Sequence, residues 1–120
     1  MVHEPELVEI MPDGERVFSL LSQKRLRLAG STIDMDLVEF PAHVATPPRV
    51  HRRFNEYFHV LGGEGVVVLN GEPQAIRAGH SFAVEPGTTH CFETGDLGLR
   101  IIAVCAPFFD PEDNTIVGAP

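Results

Sequence analysis

The feature that most constrains this chain is its punctuation. Short apolar or alternating runs are each closed by Gly, Pro or Asn, and no stretch holds a 3.6-residue period over the roughly ten to twelve residues a helix needs. Residues 16–21, 26–29 and 33–37 read as early strands, the last alternating apolar with acidic side chains. Residues 56–61 are aromatic and β-branched and are expected to stop at Gly62-Gly63. With Glu56 facing inward, Phe58 and Val60 share its face, while Tyr57 and His59 face out. Residues 66–69 read as a buried strand that turns through Asn70-Gly71, a type I′ signal, into 74–77. Residues 81–84 and 89–92 flank Pro86-Gly87, which suits a type II turn, and 99–105 is the last long apolar run. Many short strands at this spacing imply an all-β antiparallel sandwich or barrel.

A chain of 120 residues fits one domain and can bury roughly two thirds of its unfolded surface. Residues 1–15 carry five acids and two prolines without a period and read as a tail or a short pairing arm; the barrel is expected over 16–110 and a C-terminal tail over 111–120. Pro41, Pro47 and Pro48 mark a loop between the early strands and the rest. Nine basic against seventeen acidic residues give a formal charge of −8, which repels a phosphate backbone, so nucleic acid is not an expected partner. The basic residues gathered within 16–27 and at Arg49, Arg52 and Arg53 read as solvated strand edges. No apolar run approaches the roughly 20 residues of a membrane-spanning helix. Cys91 and Cys105 form no Cys-x-x-Cys pair, and the first ten residues hold three glutamates where a signal peptide needs an apolar run. A reducing cytoplasm is the expected location.

Chemistry concentrates in two stretches. Residues 47–65, PPRVHRRFNEYFHVLGGEG, hold His51 and Glu56, and residues 79–94, GHSFAVEPGTTHCFET, bring His90 to the end of another apolar run. The two can meet only if the sheet folds back on itself. Together they resemble the cupin superfamily, whose first motif reads G-x5-H-x-H-x3,4-E-x6-G and whose second reads G-x5-P-x-G-x2-H-x3-N. His51, Glu56 and Gly63 match the second histidine, the glutamate and the glycine of the first motif, and Arg49 falls on the first histidine. A register that makes His51 the first histidine puts Arg53 at the second instead. Gly79, Gly87 and His90 match the second motif, with Glu85 where proline is usual, Pro86 just before the glycine and Thr94 in place of asparagine. The segment PFFDPED at 107–113 also resembles small bacterial cupins. The resemblance implies a jelly roll, or double-stranded β-helix barrel, and a homodimer, which exposed apolar residues within 17–21 would suit. It leaves the reaction open, because the superfamily spans dioxygenases, isomerases, epimerases, cyclases, lyases and simple binding domains.

Two imidazoles and one carboxylate form a donor set for one divalent ion, so His51, Glu56 and His90 are candidate ligands for Zn, Fe, Mn, Ni or Cu. Such a site leaves coordination positions open for Lewis-acid or dioxygen chemistry on a small anionic or oxygen-rich molecule. Arg49 decides between that reading and a polar barrel mouth in which Glu56 hydrogen-bonds both histidines. A guanidinium has no lone pair to donate, and at about 5 Å from a +2 ion, at an effective dielectric of about 20, it repels by roughly 6–7 kcal/mol. It therefore either turns outward or sits at the rim to hold a substrate carboxylate, and the rim is the preferred expectation. Phe58, Phe82 and Phe92 face inward and could line an apolar cavity for the substrate; a core role is the commoner one for such residues. His59 is assigned to a sheet surface or dimer contact, His80 to a turn, and Cys91 away from the pocket; His3 and His43 have no supported role. No residue presents itself as a general base. The competing readings are a metal-free small-molecule-binding module and a structural dimer.

Overall fold

The computed structural model describes residues 2–22, 33–107 and 109–117. The strand expected at 26–29 lies outside the described residues. The elements are β1 (Glu6–Ile10), β2 (Arg16–Leu21), β3 (Asp34–Phe40), β4 (Arg49–Val50), β5 (Asn55–Leu69), β6 (Glu72–Arg77), β7 (Ser81–Val84), β8 (His90–Ala106), a 3-10 turn at Pro111–Asp113 and β9 (Thr115–Ile116). Every pairing among the described residues is antiparallel. The sheet curls into two facing layers. One is ordered β1-β2-β3, the second half of β8, the first half of β5, then β7; the other is β9-β4, the first half of β8, the second half of β5, then β6. This is a jelly roll.

The run expected to end at Gly62-Gly63 continues: β5 is one strand of 15 residues, and β8, read from the sequence as two runs, is one of 17. The glycines bend the strand. The β5–β8 register slips between Val60 and Gly62 and again between Gly63 and Gly65, so bulges carry both strands from one layer to the other without breaking the ladder. Gly63 has φ +80°, and a Cβ there would collide with the carbonyl oxygen of Gly98 on β8, so only glycine fits the corner. The predicted turns form as expected. Asn70 and Gly71 both have positive φ, as type I′ demands, and Gly87 at φ +86° follows Pro86 with Thr88 N–H donating to the Glu85 carbonyl.

Phe58 and Val60 point inward while Tyr57 is 48% exposed, the expected alternation. Between the layers Val38, Phe40, Phe58, Val60, Val67, Ile76, Val84, Phe92, Leu99, Ile101 and Ala103 form the apolar core, with Val17, Leu69 and Phe82 against it. The run at 17–21 is less exposed than expected, because β1 and β3 flank it: Val17 packs on the core and Ser19 is buried.

Candidate metal centre

Three separate devices deliver the site residues. His90 opens β8 with Arg49 of β4 on one side and Leu69 of β5 on the other, so its backbone is fixed from both edges. Glu56 lies near the start of β5, opposite Cys105 of β8 and Val84 of β7. His51 follows β4 in a loop held on all sides. Thr46 N–H donates to the Phe92 carbonyl and Thr46 Oγ1 accepts from Phe92 N–H, and Thr94 Oγ1 accepts from Val44 N–H and donates to the Pro41 carbonyl. Beyond His51, the Asp113 carboxylate accepts from the N–H groups of Arg52 and Arg53, and Gly87 N–H donates to the His51 carbonyl. The proline-containing loop is thus zipped to β8 on one side and clamped by the C-terminal turn on the other. Thr94, where the family motif has asparagine, supplies one of those zips.

The three expected ligands converge. His51 Nε2 lies 3.2 Å and His90 Nε2 3.7 Å from Glu56 Oε1, and all three donor atoms fall within 4.8 Å of one another. Neighbouring ligands of an ion bound at about 2.1 Å stand roughly 3.0–3.5 Å apart, so the spacing fits one ion with slight contraction. The histidines are 1% and 7% exposed. His51 stacks on Phe54, centroids 4.1 Å apart, and meets His90 edge-on at 4.9 Å.

The backbone fixes both tautomers. His51 Nδ1 lies 3.1 Å from the Phe54 carbonyl and His90 Nδ1 lies 3.2 Å from the Thr88 carbonyl. A carbonyl only accepts, so each Nδ1 carries a proton, and whichever ring is neutral presents the lone pair of Nε2 to Glu56. Burial pushes the His90 pKa down, with Glu56 acting in the opposite direction, which disfavours a second proton on that ring. An Nε2 lone pair facing a carboxylate oxygen repels it unless a proton or a metal cation lies between them, so the cluster is a place for one or the other. The other oxygen, Oε2, accepts from the Cys105 thiol at 3.5 Å; burial, then Glu56, raises the thiol pKa and keeps it a donor.

Arg49 does not turn outward with its neighbours. It stands opposite His90 in the antiparallel register, which puts both side chains on one face, and its charge contributes to lowering the His90 pKa. It makes no ion pair within 4.0 Å among the described residues. Arg53, by contrast, reaches Asp110 at the surface. Phe58, Phe82 and Phe92 meet each other with centroids 4.9–6.2 Å apart, Phe58 and Phe92 inside the core and Phe82 half-buried at its margin. His59 is exposed and bonded to Ser81 Oγ, and His80 Nδ1 accepts from Arg77 N–H within its turn. Cys91 is half-buried and lies next to inward-facing His90 on the strand.

Two carboxyls were missed by sequence reasoning. Asp36 shares an interior row with Ala103 and Phe58, one pleat from the row of Glu56 and Cys105. Burial, then Asp34 and Glu56, pushes its pKa up to about 7. Glu15, just ahead of β2, is 6% exposed and likewise pushed up to about 7, mainly by burial, with Arg49 opposing. The signal for Asp36 was parity: it lies an even number of residues from Val38 and Phe40, which face the core. Glu15 offered a weaker one, its parity with Val17, obscured by the acidic segment before it.

Residues 36–105 match the Cupin_2 model, described as a cupin domain, which spans more than half of the chain. The chain belongs to the cupin family. Among solved structures this cupin resembles the polyketide cyclase RemF from Streptomyces resistomycificus, with 20% identity and TM-score 0.78 over 100% of this chain and 86% of that one. It also resembles Streptomyces Pac13 with uridine, at 20% identity and TM-score 0.75 over 98% and 87%; Pac13 is described as a nucleoside dehydratase. At such identities the likeness concerns the fold. Among curated proteins, the Escherichia coli HTH-type transcriptional regulator PuuR is 31% identical over 77 residues, 63% of this chain and 42% of the regulator, so the cupin spans less than half of that relative. Among the described residues no helix is long and apolar enough to cross a membrane.

Proposed function

We propose that this cupin holds one divalent transition-metal ion through His51 Nε2, Glu56 Oε1 and His90 Nε2 and acts on a small, carboxylate-bearing, oxygen-rich molecule. The observation that carries this reading is the pair of backbone-fixed imidazoles, which aim both Nε2 atoms at one carboxylate oxygen. A bound ion supplies Lewis acidity toward a carbonyl or hydroxyl oxygen. Arg49, on the His90 face and outside ion-pair reach of any described carboxylate, keeps its fork for the substrate carboxylate. Asp36 faces the interior with a proton that it can exchange near neutrality, which suits a general acid or base for a proton shift, elimination or cyclisation. Phe82 with Phe58 and Phe92 forms the apolar floor.

Elemental analysis of protein purified without a metal-affinity step is expected to find about one ion per chain, lost in His90→Ala. Metal-free wild type alongside a metal-loaded Arg49→His variant would mean that Arg49 displaces the ion. The second reading, a metal-free binding module, is favoured by the likeness to a transcriptional regulator. It expects no ion and no turnover, but a thermal shift with a small organic acid. For assembly we propose a homodimer along β1, whose Leu7, Val8 and Ile10 are 46%, 54% and 63% exposed on a sheet edge. Light scattering would detect a monomer at micromolar concentration and remove that claim.

A further inference from the structure

We infer that the C-terminal segment 109–117 is the positioning strap of the metal centre, and that Asp113 within it sets His51 at ligating distance. The inference rests on the metal reading above and concerns residues outside its donor set. His51 follows a strand of two residues, β4, which meets β8 through the pair Arg49 and His90. So short a pairing does not by itself fix the loop that follows.

The strap holds that loop residue against residue, in antiparallel order. Val117 N–H donates to the Pro48 carbonyl, Ile116 stands opposite Arg49 and Thr115 opposite Val50. The Asp113 carboxylate then accepts from the N–H groups of Arg52 and Arg53, at 3.0 and 2.6 Å, and the Phe109 ring meets Phe54 edge-on with centroids 5.7 Å apart. Pro48, Arg49, Val50, Arg52, Arg53 and Phe54 thus each have a partner on the strap. His51, in their midst, is bonded inward: its carbonyl accepts from Gly87 N–H, its Nδ1 donates to the Phe54 carbonyl and its Nε2 lies 3.2 Å from Glu56 Oε1.

The other end of the strap is tied to the wall that carries Glu56. Phe109 N–H donates to Asp34 Oδ2 at 2.6 Å, and Asp34 stands opposite Cys105, which in turn stands opposite Glu56. One segment therefore links the row of the carboxylate ligand to the loop of an imidazole ligand. Asp113 is the joint that matters most, because it takes two successive N–H groups of the turn directly after His51. Its own place is set by Asp110, whose carbonyl accepts from Asp113 N–H and whose Oδ1 accepts from Glu112 N–H. Without that carboxylate the two peptide planes are free to turn toward water, and the Phe54 carbonyl that orients the His51 ring moves with them.

Calorimetric titration of Zn²⁺ into the metal-stripped full-length chain, with the visible spectrum of the Co²⁺-loaded protein as a second readout, tests this. Asp113→Ala should weaken ion binding about tenfold, the low end of what is lost when a group that orients a ligand is removed, and at saturating Co²⁺ its visible bands should differ from the wild-type ones. Asp113→Asn keeps an acceptor oxygen without the charge and should bind within about threefold of wild type, with the wild-type spectrum. Asp113→Glu, whose longer arm misplaces the acceptor, should fall between the two, and it serves if the alanine variant misfolds. Unchanged affinity and spectrum in Asp113→Ala, with binding abolished by His90→Ala, would overturn the inference and leave the metal centre standing. An equal loss from Asp113→Asn and Asp113→Ala would mean that the carboxylate acts on the ion by its charge alone, and a loss of affinity with an unchanged spectrum would mean that it serves stability alone; either overturns the positioning role. Absence of binding by the wild type would remove the metal centre along with the inference.

Discussion

The two ends of the barrel interior are built from the same three strands and solve opposite problems. At one end Phe40, Phe58 and Phe92 from β3, β5 and β8 interlock with centroids 5.1–5.4 Å apart over Val60, Val67 and Ile101. At the other, from the row of Phe58 outward, β3, β5 and β8 carry Asp36, Glu56, Cys105 and His90, with His51 beside them. The aromatic end joins the layers through apolar burial and dispersion. The polar end holds carboxyls and two imidazoles at a desolvation cost, an arrangement that lowers stability. Fold and site are therefore separable along one axis. Phe92→Ala should cost about 3–5 kcal/mol in chemical denaturation, the largest effect expected here. A loss below about 1 kcal/mol would mean that the aromatic end is not what holds the layers together.

What was legible follows the same division. Apolar periodicity and the turn pairs Asn70-Gly71 and Pro86-Gly87 announced the strands, because period and turn chemistry are local properties. The passage of β5 and β8 through their glycines was not legible: Gly62-Gly63 is a stop signal locally, and only the register with β8 turns it into a bulge. The candidate ligands His51, Glu56 and His90 were readable from motif spacing, and the structure brings them together. Asp36 and Glu15 were not, since a carboxyl on an alternating strand is ordinarily given the wet face. Their environment depends on which layer folds over them, a non-local fact.

The polar end can be probed through its pH dependence. The folded pKa of Asp36, pushed up to about 7, lies above its ordinary value of 3.8, so between roughly pH 4 and 7 the folded state binds more protons and stability falls as pH rises. Asp36→Asn abolishes that slope. It should match wild type near pH 4 and exceed it by about 1–3 kcal/mol at pH 8, after allowance for partial exposure. Glu15→Gln should behave in the same direction, since its folded pKa of about 7 lies above 4.5. Both gains should shrink when an ion is bound, because the ion stabilises the ionised carboxyls. A variant less stable than wild type at pH 8 would place Asp36 among the groups that support the fold and erase the contrast between the ends.

The smallest expected effect lies at the one member of the polar end that also fills core space. Cys105 is 1% exposed and fills core space with its sulfur while its proton serves the Glu56 carboxylate. Cys105→Ala loses a small apolar volume and one weak charge-assisted hydrogen bond, together about 1–2 kcal/mol. The more telling readout is the site. With Oε2 no longer held, Glu56 gains rotational freedom, and ion affinity should drop a few-fold although no ligand has changed. Cys105→Ser keeps a donor at similar volume and should restore much of that affinity while remaining less stable, because a hydroxyl is costlier to bury than a thiol. In the native protein Cys105 should resist alkylation at pH 8, its thiol held protonated by burial and the carboxylate, while half-buried Cys91 reacts slowly. If serine lowered ion affinity as much as alanine, the thiol would be serving the core alone, and the boundary between the two ends would fall between Cys105 and Glu56.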